Sequence, residues 1–219
     1  MLERIPLRER RDLLIAWLAI SVAFTLIYIR PEAGLSPHGA SGAISVAFTL
    51  IYIRGGVSPI GLLFFFVMSL VTVGVAFVLH ELAHKFAAMR YGYWAEFKKD
   101  NQMLLVAVVM AALVGIVFAA PGATYVYGNA TRNENGRISA AGPVTNLLLC
   151  IPFAALMLFG GGGLLGTVGL VGLRVNAMIA TFNMLPISVL DGRKILAWNP
   201  VIFAVLIIAS LGILFWSLL

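Results

Sequence analysis

Charge is scarce in this chain. Only 11% of its 219 residues are Asp, Glu, Lys or Arg, and 61% are hydrophobic. A soluble globular chain carries about a quarter charged residues. With so little polar surface, a water-soluble enzyme and a disordered protein are both excluded, and a bilayer is the solvent that suits the composition. Cysteine is scarcer still. The single Cys150 excludes a disulfide framework and any Cys-rich zinc or iron–sulfur site. The net charge of +6 does not point to a nucleic-acid partner. The basic residues flank apolar runs, which is how membrane proteins fix their orientation.

What is present is a succession of apolar stretches. Residues 13–29, 60–89, 139–159, 164–185 and 200–219 read as helices long enough to span, or nearly so, at ~1.5 Å per residue. The fourth is interrupted by Arg174 and Asn176. Residues 103–120 are apolar too, and either span or are re-entrant or interfacial; the second is preferred, because a spanning segment would leave Asp191 on the opposite side of the membrane from His84. Residues 123–128 are β-prone, with a turn expected around Asn133–Gly136. The expected fold is an all-α polytopic membrane protein. It has about five to six transmembrane helices and a small β-hairpin or sheet near the functional site. The whole chain, 1–219, is expected to be one domain. Arg4, Arg8, Arg10 and Arg11 place the N-terminus in the cytoplasm. One segment is doubtful. SVAFTLIYIR occurs at 21–30 and again at 45–54, a spacing of 24 with no third copy. A solenoid repeat would recur. Residues 31–54 therefore read as an artefactual insertion, the alternative being a recent natural duplication.

Ionisable residues inside apolar runs are the informative ones in a membrane protein. Of nine carboxylates, seven lie in polar termini or loops and only Glu81 and Asp191 do not, and two of the three histidines, His80 and His84, flank Glu81. His80-Glu81-Leu82-Ala83-His84 is HExxH. Residues four apart on a helix lie about 40° apart around its axis, so both imidazoles can grip one ion, while Glu81 is rotated by about 100°. At this composition the pattern arises by chance roughly once in a thousand such chains. Zinc held by two histidines and a carboxylate keeps a position for water and lowers its pKa toward ~7. Glu81 can take the water's proton and pass it to the leaving amine. For the third ligand, Cys150 lacks a companion, His38 sits in the doubtful segment, and Glu96 and Asp100 lie in a polar stretch. Asp191 has the right chemistry and depth, with Gly192 after it to let the backbone bend. Its bland reading is a helix cap or a partner for Arg193.

HELAH followed by Asn183-Met184-Leu185-Pro186-Ile187-Ser188-Val189-Leu190-Asp191-Gly192 resembles the site-2 protease family of intramembrane zinc metalloproteases. That family pairs HExxH with N-x-x-P-x(4)-D-G at the end of a later helix. The resemblance covers 60–194, the expected catalytic core, and includes Ala141-Gly142-Pro143-Val144-Thr145-Asn146. It implies one zinc ion held by His80, His84 and Asp191, Glu81 as catalytic acid/base, and Asn183 in oxyanion stabilisation or substrate binding. It also implies a transmembrane protein as substrate. The expected location is the plasma membrane of a prokaryote, with the active-site end cytoplasmic. Tyr125 and Val126 are expected to bind unwound substrate by strand addition. Asn146 reads as packing glue and Arg174 as a snorkelling or loop-proximal residue. Pro186 should end the preceding helix near 183–185 and leave 187–190 irregular. A membrane metal-binding or transport protein using the same ligands is the rival reading. It predicts further carboxylates along a path through the bilayer.

Overall fold

The computed structural model describes residues 5–29, 59–115, 117, 121–187 and 189–219. The second copy of the decapeptide, the doubtful 31–54 segment and His38 lie outside the described residues. Among the described residues, four helical stretches are long and apolar enough to cross a membrane: Leu7–Tyr28, Pro59–Arg90, Arg132–Phe159 and Leu164–Asn183. Asn101–Leu113 and Pro200–Trp216 are shorter apolar helices. A two-stranded sheet completes the described secondary structure. The chain is thus an integral membrane protein of helices with one small sheet, as its composition requires.

The described residues fall into two compact units, one within Met1–Gly74 and Lys98–Ala123, the other within Val75–Phe97 and Thr124–Leu219. In the first, α1 (Leu7–Tyr28) lies against α2 (Pro59–Ser69) and the π-helical turn Leu70–Gly74 that follows it. A π-turn breaks the regular hydrogen-bond ladder, and here the Leu70 carbonyl accepts the Trp17 indole N–H at 3.0 Å. Gly74 leaves room for that indole, which a Cβ would strike. Helix α4 (Asn101–Leu113) also packs on α1. Its 13 residues reach only about 20 Å, short of a bilayer's hydrocarbon core. Asp100 caps its start, accepting from the Gln102 and Met103 amides. Gly115, at φ +80°, ends it in the left-handed conformation that glycine adopts without strain.

The second unit is built around α5 (Arg132–Phe159), which packs against α3 (Val75–Arg90), α6 (Leu164–Asn183) and α7 (Asp191–Trp198). Helix α8 (Pro200–Trp216) covers α6 and α7. Small residues set the approach of α5 and α6. A Cβ on Gly169 would enter the backbone at Leu156 and Met157, the close packing that membrane helices use in place of a hydrophobic driving force.

One expectation is corrected. Residues 133–136 are not a hairpin turn but lie in the first turns of α5. Thr131 and Glu134 form a reciprocal capping box there, a helix-start signature that outweighs the turn preference of Asn and Gly. Strand β2 (Gly122–Tyr127) pairs instead with β1 (Trp94–Lys99), on the far side of α4 in sequence. Arg174 also finds a role. Its Nε–H donates to the Ser217 carbonyl at 2.9 Å, closing the C-terminal end of α8, where carbonyls lack intrahelical partners. Arg174→Leu should therefore lower stability by about 1–3 kcal/mol, the cost of an orphaned buried acceptor. The thermal unfolding midpoint in detergent measures it, and an unchanged midpoint would show that the bond contributes nothing.

Candidate metal centre

Helix α3 carries HExxH at its middle and buries His80, Glu81 and His84 together. Asp191 reaches them from another direction. Helix α6 ends at Asn183, with Met184 as its C-cap, and α7 begins at Asp191. Between them Ile187 N–H bonds to the Leu185 carbonyl and Leu190 N–H to the Ile187 carbonyl, an irregular path of short turns. The expected break around Pro186 is present. Gly192 acts differently from the expectation. It lies inside α7, and its missing Cβ lets the backbone close on the Met184 and Leu185 carbonyls.

Three ligand-type atoms meet. His80 Nε2 and His84 Nε2 are 3.0 Å apart, and Asp191 Oδ2 is 3.4 Å from the first and 3.1 Å from the second. Tetrahedral ligands at zinc bond lengths of ~2.0–2.2 Å stand about 3.3 Å from one another, so the triangle has the size of one face of a zinc site. Its charge fits as well. His84 Nδ1 lies 2.8 Å from the Ile138 carbonyl, which can only accept, so Nδ1 carries the proton. His80 Nδ1 likewise lies 2.6 Å from Asn146 Oδ1. Both Nε2 lone pairs then point at each other and at a carboxylate, an arrangement that requires positive charge among them. Burial alone would raise the Asp191 pKa. Positive charge at His84, a proton entering between these groups, more than offsets burial and holds Asp191 below the usual carboxylate range. A metal ion meets the same demand with a larger charge.

Gly142 provides the space. A Cβ there would come within 2.6 Å of His80 Nε2 and would also strike His84 Nε2. Glu81 is turned away from the triangle toward β2. Its Oε2 accepts the Thr124 N–H at 2.9 Å, and the Thr124 hydroxyl lies 2.9 Å from Oε2 and 3.0 Å from the Glu81 carbonyl. His80, His84 and Asp191 are the only metal-type cluster among the described residues.

Other site residues sit elsewhere. Asn183 is half-buried and donates its Nδ2–H to the Ile179 carbonyl of its own helix at 3.0 Å. Tyr125 is exposed, whereas Val126 packs on Ala88, Ala95 and Ile138 beneath the sheet. Sequence reading missed Gly142, Thr124 and the Ile138 carbonyl, because none of these carries a chemical signature. It also read Asn146 only as glue. Asn176 was visible as a polar interruption of an apolar run, but nothing in the sequence paired it with anything.

The matches to known proteins fall on this region. Residues 68–171 match the model of peptidase family M50. A protein of Methanocaldococcus jannaschii named as a candidate zinc metalloprotease is 42% identical over 157 residues, covering 69% of this chain and 82% of that protein. The chain belongs to peptidase family M50. A second relative, from Bacillus subtilis and named in the same way, is 28% identical over 157 residues, covering 63% of this chain and 70% of its own. No solved structure matches the chain. This M50 chain is accordingly a zinc metallopeptidase by family, and its three-residue cluster is compatible with the zinc such an enzyme carries. Gly142→Val should push a side chain into the ligand triangle. Elemental analysis of the purified variant is expected to find well under one zinc per chain, and full zinc content would show that Gly142 does not shape the site.

Proposed function

We propose that the protein is an intramembrane zinc metalloprotease that hydrolyses peptide bonds in transmembrane segments of membrane-protein substrates. The convergence of two Nε2 lone pairs and a carboxylate oxygen on one point, beside a buried glutamate, supports this reading best. His80, His84 and Asp191 hold the ion. When bound, zinc supplies Lewis acidity, polarising the scissile carbonyl and acidifying water. Glu81 accepts a proton from the attacking water and later delivers it to the leaving amine. Thr124 takes up Glu81 Oε2 and so leaves Oε1 for the proton. Asn183 leaves its intrahelical bond when substrate is present and donates to the developing oxyanion, a role often worth about 3–4 kcal/mol. The active-site end faces the cytoplasm of a prokaryote, where water for hydrolysis is available.

A substrate helix hides its scissile carbonyls in its own hydrogen bonds and must unwind to be cut. Strand β2 offers it an edge. The backbone at Tyr125 and Val126 supplies the ladder, and the exposed Tyr125 ring supplies side-chain contact. Because Thr124 lies in the same strand and holds Glu81, docking on β2 is tied to the orientation of the acid/base group.

Glu81→Gln is the decisive variant. It should retain zinc and lose at least ~10²–10⁴-fold in cleavage of a transmembrane substrate in proteoliposomes. Turnover near the wild-type rate would refute the acid/base role of Glu81, whereas a zinc-loaded wild-type protein that cuts no transmembrane substrate would favour a metal-handling protein. Asn183→Ala should keep zinc and lower kcat, whereas Asp191→Ala should lose zinc. Strand addition has its own test. Tyr125→Pro or Val126→Pro should raise KM sharply by deleting a ladder N–H, and cleavage unaffected by both would leave β2 without that role.

A further inference from the structure

Two buried amides outside the ligand set form a directed chain that ends on a ligand. Asn176 in α6 and Asn146 in α5 are both fully buried. Asn176 Nδ2 lies 2.8 Å from the Gly172 carbonyl, which can only accept, so the amide's oxygen must face the other way. That oxygen lies 3.0 Å from Asn146 Nδ2, which donates to it. Asn146 Nδ2 also lies 3.2 Å from the Ala76 carbonyl, a second group that can only accept. With both of its N–H groups committed, Asn146 presents Oδ1 to His80 Nδ1 at 2.6 Å. An oxygen there demands a proton on Nδ1, and a proton on Nδ1 leaves a lone pair on Nε2, the atom aimed into the triangle. Each link has one permitted polarity, and the polarity is fixed at the far end by backbone carbonyls that cannot reverse.

We propose that Asn176 is a positioning residue for the metal centre, acting through Asn146 to hold His80 in the tautomer that can bind the ion. A reversed Asn146 would put an NH₂ group against His80 Nδ1 and force the proton onto Nε2, directed at the ion's place. The Asn176 oxygen opposes that reversal together with the Ala76 carbonyl. Outer partners of metal-bound histidines commonly fix tautomer and ring orientation in this way, and their loss typically costs about 10–100-fold in metal affinity. The alternative is that the two amides only staple α3, α5 and α6 together, as polar residues do in membranes. The proposal rests on the reading of His80, His84 and Asp191 as ligands.

The test is binding of cobalt(II) to the purified full-length protein. It is read as affinity against a competing chelator and as the visible absorption of the bound ion. Variants are His80→Ala, Asn146→Leu, Asn146→Asp and Asn176→Leu, each checked for monodispersity and thermal unfolding. His80→Ala should abolish the cobalt spectrum. If it does not, the ligand reading itself fails. Given that loss, Asn146→Leu should weaken binding by about 10–100-fold. Asn176→Leu, which keeps similar volume, should weaken it in the same direction by less and alter the spectrum. Asn146→Asp should bind more tightly than Asn146→Leu, because a carboxylate still accepts from Nδ1–H. Should Asn146→Leu fail to fold, Asn176→Leu and Asn146→Asp compared with wild type carry the same question. Folded Asn176→Leu with wild-type affinity and an unchanged spectrum would overturn the proposal and leave the amides as staples.

Discussion

The centre depends on a simple electrostatic constraint. Two imidazoles whose Nδ1 protons are already committed to acceptors must present bare Nε2 lone pairs, and here those lone pairs meet a carboxylate oxygen within 3.4 Å. Three such donors repel one another unless positive charge lies among them. Everything nearby serves to keep them together. Helix α3 sets the two histidines one turn apart, α5 supplies an acceptor for each ring, and the break after α6 brings Asp191 round to face them.

That arrangement explains why polar groups are tolerated at all in so apolar a unit. An unpaired amide in hydrocarbon surroundings costs several kcal/mol. Asn146 and Asn176 avoid the cost by bonding to each other and to backbone carbonyls on α3 and α6. The same bonds cross-link three helices that no hydrophobic effect within the bilayer would otherwise hold in register. Rigidity of the helices and orientation of the ligand therefore come from one set of contacts. Gly142 and Gly169 complete the picture, since each removes a Cβ that would keep neighbouring groups apart.

Glu81 and its strand work by a different logic. The carboxylate shares a helix with the histidines but faces β2, held there by a threonine backbone amide and hydroxyl. A rigid donor set and a carboxylate attached to a strand, the proposed acid/base group, are different kinds of element. The first has to be invariant during a reaction, while the second can respond to what docks beside it. Such a division suits the proposed activity, in which a substrate helix is unwound before it is cut.

Much of this protein was legible in the sequence, for reasons of composition and periodicity. Apolar runs of sufficient length dictate helices in a bilayer. The i, i+4 spacing of His80 and His84 dictates a shared face, and the proline at 186 dictates a break before Asp191. Those are local consequences of backbone geometry, and the structure contains each of them. What the sequence left open are pairings between segments far apart in the chain. Nothing local distinguishes a β2 that pairs with β1 across a helix from one that forms its own hairpin. Nothing local shows that Gly142 faces the imidazoles, that Thr124 holds Glu81, or that Asn176 meets Asn146, 30 residues away. The capping box at Thr131 and Glu134 is a local signal, masked in the sequence by the turn-like Asn135-Gly136 beside it. Asn, Gly and Thr take their roles from whatever the fold sets against them, so only the tertiary structure could assign those roles.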